Sequence, residues 1–357
     1  MNCYPRLLIN LPSIKDNTDY VVKTCGRNKI KITGVTKSFC GAPPLAAEML
    51  RGGIEVLADA RIANLRLLRK SFPKAKLMLL RITMPGEAAE TVAICDRSVN
   101  SELATIEQLN TLAGQAGKKH GIILMVDMGD LREGLWPDDV LAAALSVEGL
   151  PHVELIGLAT NFGCFGGVLP DATNTGAFAR LAMQVEEGIK RPLEVISIGG
   201  TTCLELAQSG QLHPKINDLR IGEAISVGTS ASQHGAPISG MHQNGFRLLA
   251  ELVEIQDKPS VPIGQIGPDA FGNIPHFADK GIMRRGVLAI GKQDTSFDLL
   301  RPIDENIEIL GGSSDHMICD LTSCGEYHVG DVVEFEVGWS AMLHLMTSPY
   351  VEKEYLK

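Results

Sequence analysis

The stretch KITGVTKSFCG, residues 31–41, decides how the rest of the chain is read. Its first six residues are a short run rich in Ile, Val and Thr, the pattern of a buried strand. Lys37 closes that run; Pro43, Pro44 and the helical run LAAEMLRGG follow. A lysine at the end of a buried strand either snorkels, with its stem buried and its head in water, or has a task for its ammonium. At the C-terminal end of a barrel strand that task is commonly covalent, a Schiff base to a carbonyl. The surrounding chain decides between the two readings.

From residue 31 to about 228 one pattern repeats, a strand-like run followed by a helix-like run. The strand candidates are KITGVT, EVLADA (55–60), KLMLLR (76–81), RSVNS (97–101), GIILMVD (121–127), ELIGLAT (154–160), EVISIGG (194–200) and DLRIGEA (218–224). Helical stretches such as Ile62 to Ser71, Ser101 to Lys118, Asp138 to Ser146 and Thr175 to Lys190 lie between them. Such alternation implies parallel βαβ units, and eight even units with no switch point predict a closed (β/α)8 TIM barrel rather than an open doubly wound sheet. After about residue 240 the rhythm changes: FRLLAELVEIQ, MRRGVLAIG, ENIEILGG, HMICDLT and DVVEFEVGW read as strands joined by turns, with no helix of ten or more residues. We therefore expect an α/β chain with the barrel over residues 14–238 and a C-terminal all-β domain over 239–357. Residues 1–13, with the spare strand RLLIN, are candidates to join the β domain.

The bulk composition excludes several partners. The 357 residues are 45% hydrophobic, enough for a sizeable core, and carry a formal charge of −9, which argues against nucleic acid and anionic membrane surfaces. No run approaches the roughly 18 apolar residues of a membrane span. The start, MNCYPRLLINLPSIKDN, lacks a basic segment followed by a long apolar one, so no secretory leader is expected. Eight cysteines, at 3, 25, 40, 95, 164, 203, 319 and 324, form no CxxC pair and mostly lie in or beside apolar strands. This predicts a reduced, cytoplasmic protein with buried thiols. Cys40 is close enough to Lys37 to line a site, but the favoured reading is a small buried hydrophobe.

In a barrel, catalytic residues collect where strands end. Here the first strand ends in Lys37, the fifth in Asp127 followed by MGDLREGL with Arg132, the sixth in Thr160 and Asn161, and the seventh in SIGGTT (197–202); the eighth carries Arg220 and then IGEAISVG. SIGGTT supplies two glycines for close backbone approach and two hydroxyls just before a helix start, an anion site where barrel phosphate sites usually fall, although a plain helix cap on a Gly turn would read the same. A strand-end lysine together with a phosphate cradle suggests pyridoxal 5'-phosphate (PLP), which has an aldehyde for one and a phosphate for the other.

With these segments in view, the chain resembles the alanine racemase-like, fold-III PLP enzymes along nearly its whole length. TGVTKSFCG resembles the family's strand ending in the PLP lysine. MVDMGDLREG resembles its D-T-G-M-x-R-x-G signature, with Asp127, Gly129, Arg132 and Gly134 in register. GLATNF matches the sixth-strand segment, with Asn161 where alanine racemases carry a His, and RIGEAISVG resembles R-x-G-x-x-x-x-G. SSDHMICDL and YHVGDVVEF are similar to the S-M-D-x-x-x-V-D-L and V-G-D-x-V segments of the β domain. The wording is nearest the ornithine and lysine racemase branch.

The resemblance implies a PLP-dependent racemase in which Lys37 carries the cofactor and then acts as one proton-transferring base. It implies Arg220 at the pyridine nitrogen, Asn161 over the ring, and Gly200, Thr201, Thr202 and Gly222 at the phosphate. Arg132 would bind the substrate carboxylate. Ser314 and Asp315 would reach the site from a second subunit of a head-to-tail homodimer. The family's phenolic second base has no counterpart: the five tyrosines, at 4, 20, 327, 350 and 355, do not fit its place, and His276, Asp315 and His316 are the candidates. Met125 stands where many alanine racemases carry a lysine near the arginine, and the gate tyrosine after P-I-G is replaced by Lys292 in AIGKQD. A wider gate predicts a basic substrate such as ornithine or lysine, with Asp269, Asp294 or Asp315 available for its ammonium. The competing readings are an alanine or broad-specificity racemase, a non-catalytic PLP carrier, and a metal-assisted D-amino-acid aldolase or dehydratase using His316, Cys319 and Asp320. On a strand His316 and Cys319 face opposite ways, which weakens a joint metal site, so no metal is expected.

Overall fold

The computed structural model describes residues 4–230 and 235–357, so Cys3 lies outside the described residues. The chain divides into two compact units: Leu11–Gln243, and the residues up to Asn10 together with Asn244–Lys357.

The chain opens on β1 (Arg6–Asn10), a strand of the second unit. The first unit begins with helix α1 (Leu11–Gly26). Its strands are β2 (Lys31–Val35), β3 (Val56–Asp59), β4 (Lys76–Leu79), β5 (Arg97–Asn100), β6 (His120–Val126), β7 (Val153–Asn161), β8 (Val195–Gly199) and β9 (Asp218–Ile221). All eight pair in parallel, and β9 closes on β2 to complete a barrel. These runs carry little alternation because a parallel barrel buries both faces; every residue of β6 is buried. The helices α2 (Pro43–Arg51), α3 (Ile62–Ser71), α4 (Ala88–Ile94), α5 (Leu103–Gln115), α6 (Val140–Glu148), α7 (Ala172–Ile189), α8 (Leu204–Ser209) and α9 (Glu223–Val227) return the chain between strands and after the last one. Pro43 and Pro44 fall in the first turn of α2, where a missing N–H costs nothing. Asp171 and Asn174 cap α7 reciprocally.

Paired residues of a parallel sheet share a face, so the register fixes what fills the barrel. Val56, Ala58, Met78, Val99, Ile123, Met125, Ala159 and Val195 form one apolar cluster from β3 to β8. Across the remaining strands the same face carries Ser197, Asp218, Thr33 and Arg220, since Ser197 pairs with Asp218 and Thr33 with Arg220. The interior is thus apolar on one side and hydrogen-bonded on the other.

In the second unit the strands are β12 (Phe246–Pro259), β13 (Ile282–Leu288), β14 (Leu300–Pro302), β15 (Glu308–Gly312), β16 (Met317–Asp320), β17 (Val332–Val337) and β18 (Glu352–Leu356), following a small β10–β11 ribbon (Thr229–Ser230 and Ala236–Pro237) of the first unit. They form an antiparallel sheet ordered β14–β17–β12–β13–β16–β15, to which β1 adds by pairing antiparallel with β12 and parallel with β18. Phe246, Leu248, Ala250 and Leu252 of β12 alternate inward onto its core.

Three elements depart from the sequence reading. Helix α1 was not anticipated because part of its buried face is polar: Asn17 Nδ2 donates to the carbonyls of His242 (2.9 Å) and Ile225 (3.3 Å), and its Oδ1 accepts from His242 N (2.7 Å). The segment DLRIGEA is strand only to Ile221, since Gly222 starts α9. Trp339, read as strand, begins α10 (Trp339–Thr347), so the β unit carries one helix, with Ala341, Met342, Leu345 and Met346 on its buried side.

His120, at the start of β6, yields a prediction. Ser98 Oγ accepts from Asn100 Nδ2 (2.8 Å) and is hydrogen-bonded to His120 Nε2 at 2.8 Å. Burial, the largest influence, lowers the His120 pKa to about 4. The folded chain therefore binds fewer protons than the unfolded one. The stability this site holds above the ordinary histidine pKa of roughly 6.5 is lost as pH falls through about 4, by roughly 3 kcal/mol in all. Urea unfolding of wild type and His120→Gln between pH 7 and 4.5 should show a shallower acid slope in the variant, by close to one proton.

Candidate active site

The mouth of the barrel is assembled from the residues that follow its strands. After β2, Thr36 Oγ1 donates to Asp59 Oδ2 (2.6 Å), and Asp59 Oδ1 accepts from Arg61 N (2.9 Å) and Asn64 Nδ2 (3.0 Å). Burial raises the Asp59 pKa against these bonds. Lys37 then opens a single 3-10 turn, and left-handed Cys40 and Gly41 redirect the chain into α2. Lys37 is exposed to water at one side, yet its ammonium is surrounded by many protein atoms. That desolvation, foremost, lowers its pKa; Arg132 adds repulsion, while Cys164, Asp59 and Glu133 pull the other way.

Opposing strands supply a buried guanidinium. Arg220 donates from Nη1 to Ser197 Oγ (2.7 Å) and from Nη2 to Thr160 O and Asn161 Oδ1 (both 2.7 Å). Ser197 Oγ passes its own proton to Asp218 Oδ1 (2.5 Å), whose Oδ2 accepts from Thr33 Oγ1 (2.7 Å). Burial lowers the Arg220 pKa to about 10, partly offset by Asp218, so it stays charged at neutral pH. Gly199 makes the arrangement possible: a Cβ there would stand 2.0 Å from Asn161 Oδ1 and 2.4 Å from Arg220 Nη2.

Two carboxylates fix the loops of the mouth. Asp127, just past β6, accepts from the backbone N–H of Gly129 (2.9 Å), Leu131 (3.1 Å) and Arg132 (3.1 Å). Buried Asp130 accepts from the N–H of Cys164, Phe165 and Val168, pinning the loop after β7. The first loop presents Arg132, bonded by Nη1 to Cys164 Sγ (2.7 Å) and, through Nε and Nη2, to both oxygens of Glu133. Burial opposes its charge, but Glu133 outweighs that and holds the Arg132 pKa above its usual value. Glu133 Oε1 also accepts from Asn161 Nδ2 (3.3 Å).

The turn after β8 has the form expected of an anion cradle. Gly200 sits at φ +109°, and Thr201 begins a 3-10 turn. Thr201 Oγ1 accepts from Ala224 N (3.1 Å), tying this turn to α9. A Cβ on Gly222 would meet Val35 Cβ and O, both at 3.1 Å. Thr202 is half-buried beside them, and among the described residues the buried hydroxyls of Thr160 and Ser226 have no hydrogen-bond partner. These features fit PLP: an amine of lowered proton affinity, a fixed cation, and a glycine and hydroxyl cradle.

The structure brings Lys37, Arg132, Asn161 and Arg220 into one electrostatic neighbourhood, since Lys37 and Arg220 both feel Arg132 and Glu133. The sequence reading missed Glu133, Ser197 and Asp218. All three lie inside segments already singled out, LREG, SIGGTT and DLRIGEA, which was the one signal available. Met125 belongs to the apolar filling of the barrel. Ser314, Asp315 and His316 lie in the second unit at the exposed tip between β15 and β16, where Ser314 Oγ donates to Asp315 Oδ2 (2.6 Å). Cys319 is buried in that unit's core while His316 is exposed, so the two do not face a common site. Of the other acids considered, Asp294 is buried and accepts from Ser348 Oγ (2.7 Å), and Asp269 closes its own loop by accepting from Phe271 N and Asn273 N. His276 is exposed, and Lys292 lies 4.2 Å over the Phe271 ring.

The model of the alanine racemase N-terminal domain matches residues 9–230. The chain belongs to the alanine racemase family. It is 39% identical to ornithine racemase from Acetoanaerobium sticklandii, over 99% of this chain and 100% of that one. It is 37% identical to lysine racemase from Thermotoga maritima, over 99% and 98%. The alanine racemase of Bacillus anthracis superposes with a TM-score of 0.74 over 100% of this chain and 96% of that one at 16% identity, which shows the fold. The TIM-like barrel with a C-terminal β unit, read from the strand–helix rhythm, is therefore the fold of this family.

The role of Asp127 can be checked directly. Asp127→Ala leaves three backbone donors of the Arg132 loop without their acceptor, at a cost of roughly 1–3 kcal/mol where water does not replace it. A lower melting temperature and faster tryptic cleavage after Arg132 are expected, and unchanged cleavage would show that the carboxylate does not order the loop.

Proposed function

We propose that this protein is a PLP-dependent racemase interconverting the L and D forms of a basic amino acid, ornithine or lysine. The observation that carries the reading is a desolvated Lys37 sharing one barrel mouth with the fixed Arg220, in a chain similar over its full length to ornithine and lysine racemases. PLP, when bound, supplies an aldehyde for the substrate amine and an electron-withdrawing ring that acidifies the Cα–H.

The residues divide the remaining work. Lys37 Nζ holds the aldehyde in the resting protein and, as the free amine, takes or returns the Cα proton on its face. Its lowered pKa favours the neutral, proton-accepting form. Arg220 would face the pyridine nitrogen without giving up its own proton, which would keep that nitrogen unprotonated and limit side reactions such as transamination. Its bond to Asn161 keeps both groups in place at the ring. Gly200, Thr201, Thr202 and Gly222 hold the phosphate, and Arg132 offers a planar fork to the α-carboxylate. Racemisation also needs a proton carrier on the opposite face. We assign it to Asp315 or His316, on an exposed hairpin tip offered to a second copy of the chain in a head-to-tail dimer, with Ser314 beside them. Among the described residues no helix is long and apolar enough to cross a membrane. The buried thiols Cys25, Cys95, Cys203 and Cys319 suit a reducing cytoplasm.

Two outcomes are expected. Purified protein should absorb near roughly 420 nm, the region of PLP bound to a lysine, and Lys37→Ala should lose that band. Deuterium should enter Cα of ornithine or lysine from either enantiomer faster than Cα of alanine; alanine exchanging fastest would make this an alanine racemase. As a separate test of the dimer, mixing Lys37→Ala with a variant lacking both Asp315 and His316 should restore activity through hybrid dimers, and no recovery at any ratio would remove the second copy from the site.

A further inference from the structure

Glu133 has been given no role so far, yet its position is forced. The turn that carries it is bound at three backbone N–H groups by Asp127. Leu131 is left-handed, and Gly134 sits at φ +139°, where a Cβ would come within 2.5 Å of Asp127 N. The turn therefore aims Glu133 at the guanidinium of Arg132 and the amide of Asn161.

The other carboxylates around this mouth are committed. Asp59 serves Thr36, Arg61 N and Asn64, and Asp218 serves Thr33 and Ser197. Asp127 and Asp130 are occupied by loop backbone. Glu133 is bonded to two side chains, and one of them, Arg132, is the cation proposed for the α-carboxylate. An amino acid that takes Arg132 strips Glu133 of its main partner. A half-buried carboxylate left unpaired is costly, so the substrate must replace the cation it removes.

We infer that Glu133 is the specificity-determining residue of this site, taking the distal ammonium of a basic amino acid as its α-carboxylate displaces Glu133 from Arg132. The inference rests on the basic-substrate reading above. The exchange leaves neither protein charge unpaired. One ion pair, Arg132 with Glu133, becomes two, Arg132 with carboxylate and Glu133 with ammonium. An amino acid with an uncharged side chain breaks the first pair without completing the second, so the site rejects it through the group left bare, the way a polar site rejects an analogue lacking the matching group.

The test compares L-ornithine with L-norvaline, which has the same carbon chain without the distal amine, on the PLP-loaded protein and its Glu133→Gln variant. Binding is read by calorimetry and spectral titration, turnover by Cα deuterium exchange. Wild type should prefer ornithine, and Glu133→Gln should lose roughly 10- to 100-fold in ornithine affinity and kcat/KM while norvaline gains severalfold. Glu133→Asp, whose carboxylate is withdrawn by one methylene, should shift preference from ornithine toward lysine and guards against a folding defect in the first variant. An unchanged ornithine-to-norvaline ratio in both variants, or an equal loss for the two ligands, would overturn the inference, the latter making Glu133 a support of Arg132 alone. If wild type itself turns over norvaline or alanine faster than any basic amino acid, the basic-substrate reading fails first and takes the inference with it.

Discussion

A buried guanidinium governs one end of this barrel. Arg220 stays charged in a place where water cannot hydrate it, so every contact around it must supply an acceptor. Ser197, Thr160 O and Asn161 do so, and Asp218 balances the charge through Ser197 while bonding to Thr33. That requirement spreads over β2, β7, β8 and β9. It explains why the interior facing these strands is polar while the rest is filled by Val, Ile, Met and Ala. It also explains Gly199, since any side chain there would occupy the space of the Arg220–Asn161 bond.

The mouth shows a second economy. Its loops are ordered by carboxylates that bind backbone rather than cations. The two act over different ranges: Asp127 folds its own turn, while Asp130 reaches the loop after β7. With both used in this way, Lys37, Arg132 and Glu133 are the charged side chains here that are not tied to loop backbone. Lys37 is tuned by desolvation toward its neutral form, while Arg132 is held firmly charged by its neighbour. An amine of lowered proton affinity and a firmly charged guanidinium thus stand in one electrostatic neighbourhood.

The strand–helix rhythm, the closure into a barrel and the change to β structure were legible in the sequence, because periodicity and βα spacing are local properties that burial on both faces writes directly into each segment. Lys37, Arg132, Asn161, Arg220 and the SIGGTT turn could be picked out because they stand at strand ends, where barrel side chains meet at the mouth. Helix α1 escaped because Asn17 spends its polar atoms on the backbone of Ile225 and His242, partners more than two hundred residues away. Helix α10 escaped because it is only nine residues long and starts directly after β17, with Gly338 as the sole punctuation between them.

What the sequence by itself determined was the barrel and sheet strands, most of the helices, and the residues carried at the strand ends. What only the tertiary structure decided was pairing: that Ser197 links Arg220 to Asp218, that Asp130 holds a loop more than thirty residues further on, and that Glu133 meets both Arg132 and Asn161. The physical reason is that a carboxylate or hydroxyl has no periodicity of its own. Its function is fixed by which donor folding brings within about 3 Å, and that distance is set by barrel closure, not by neighbours in the chain.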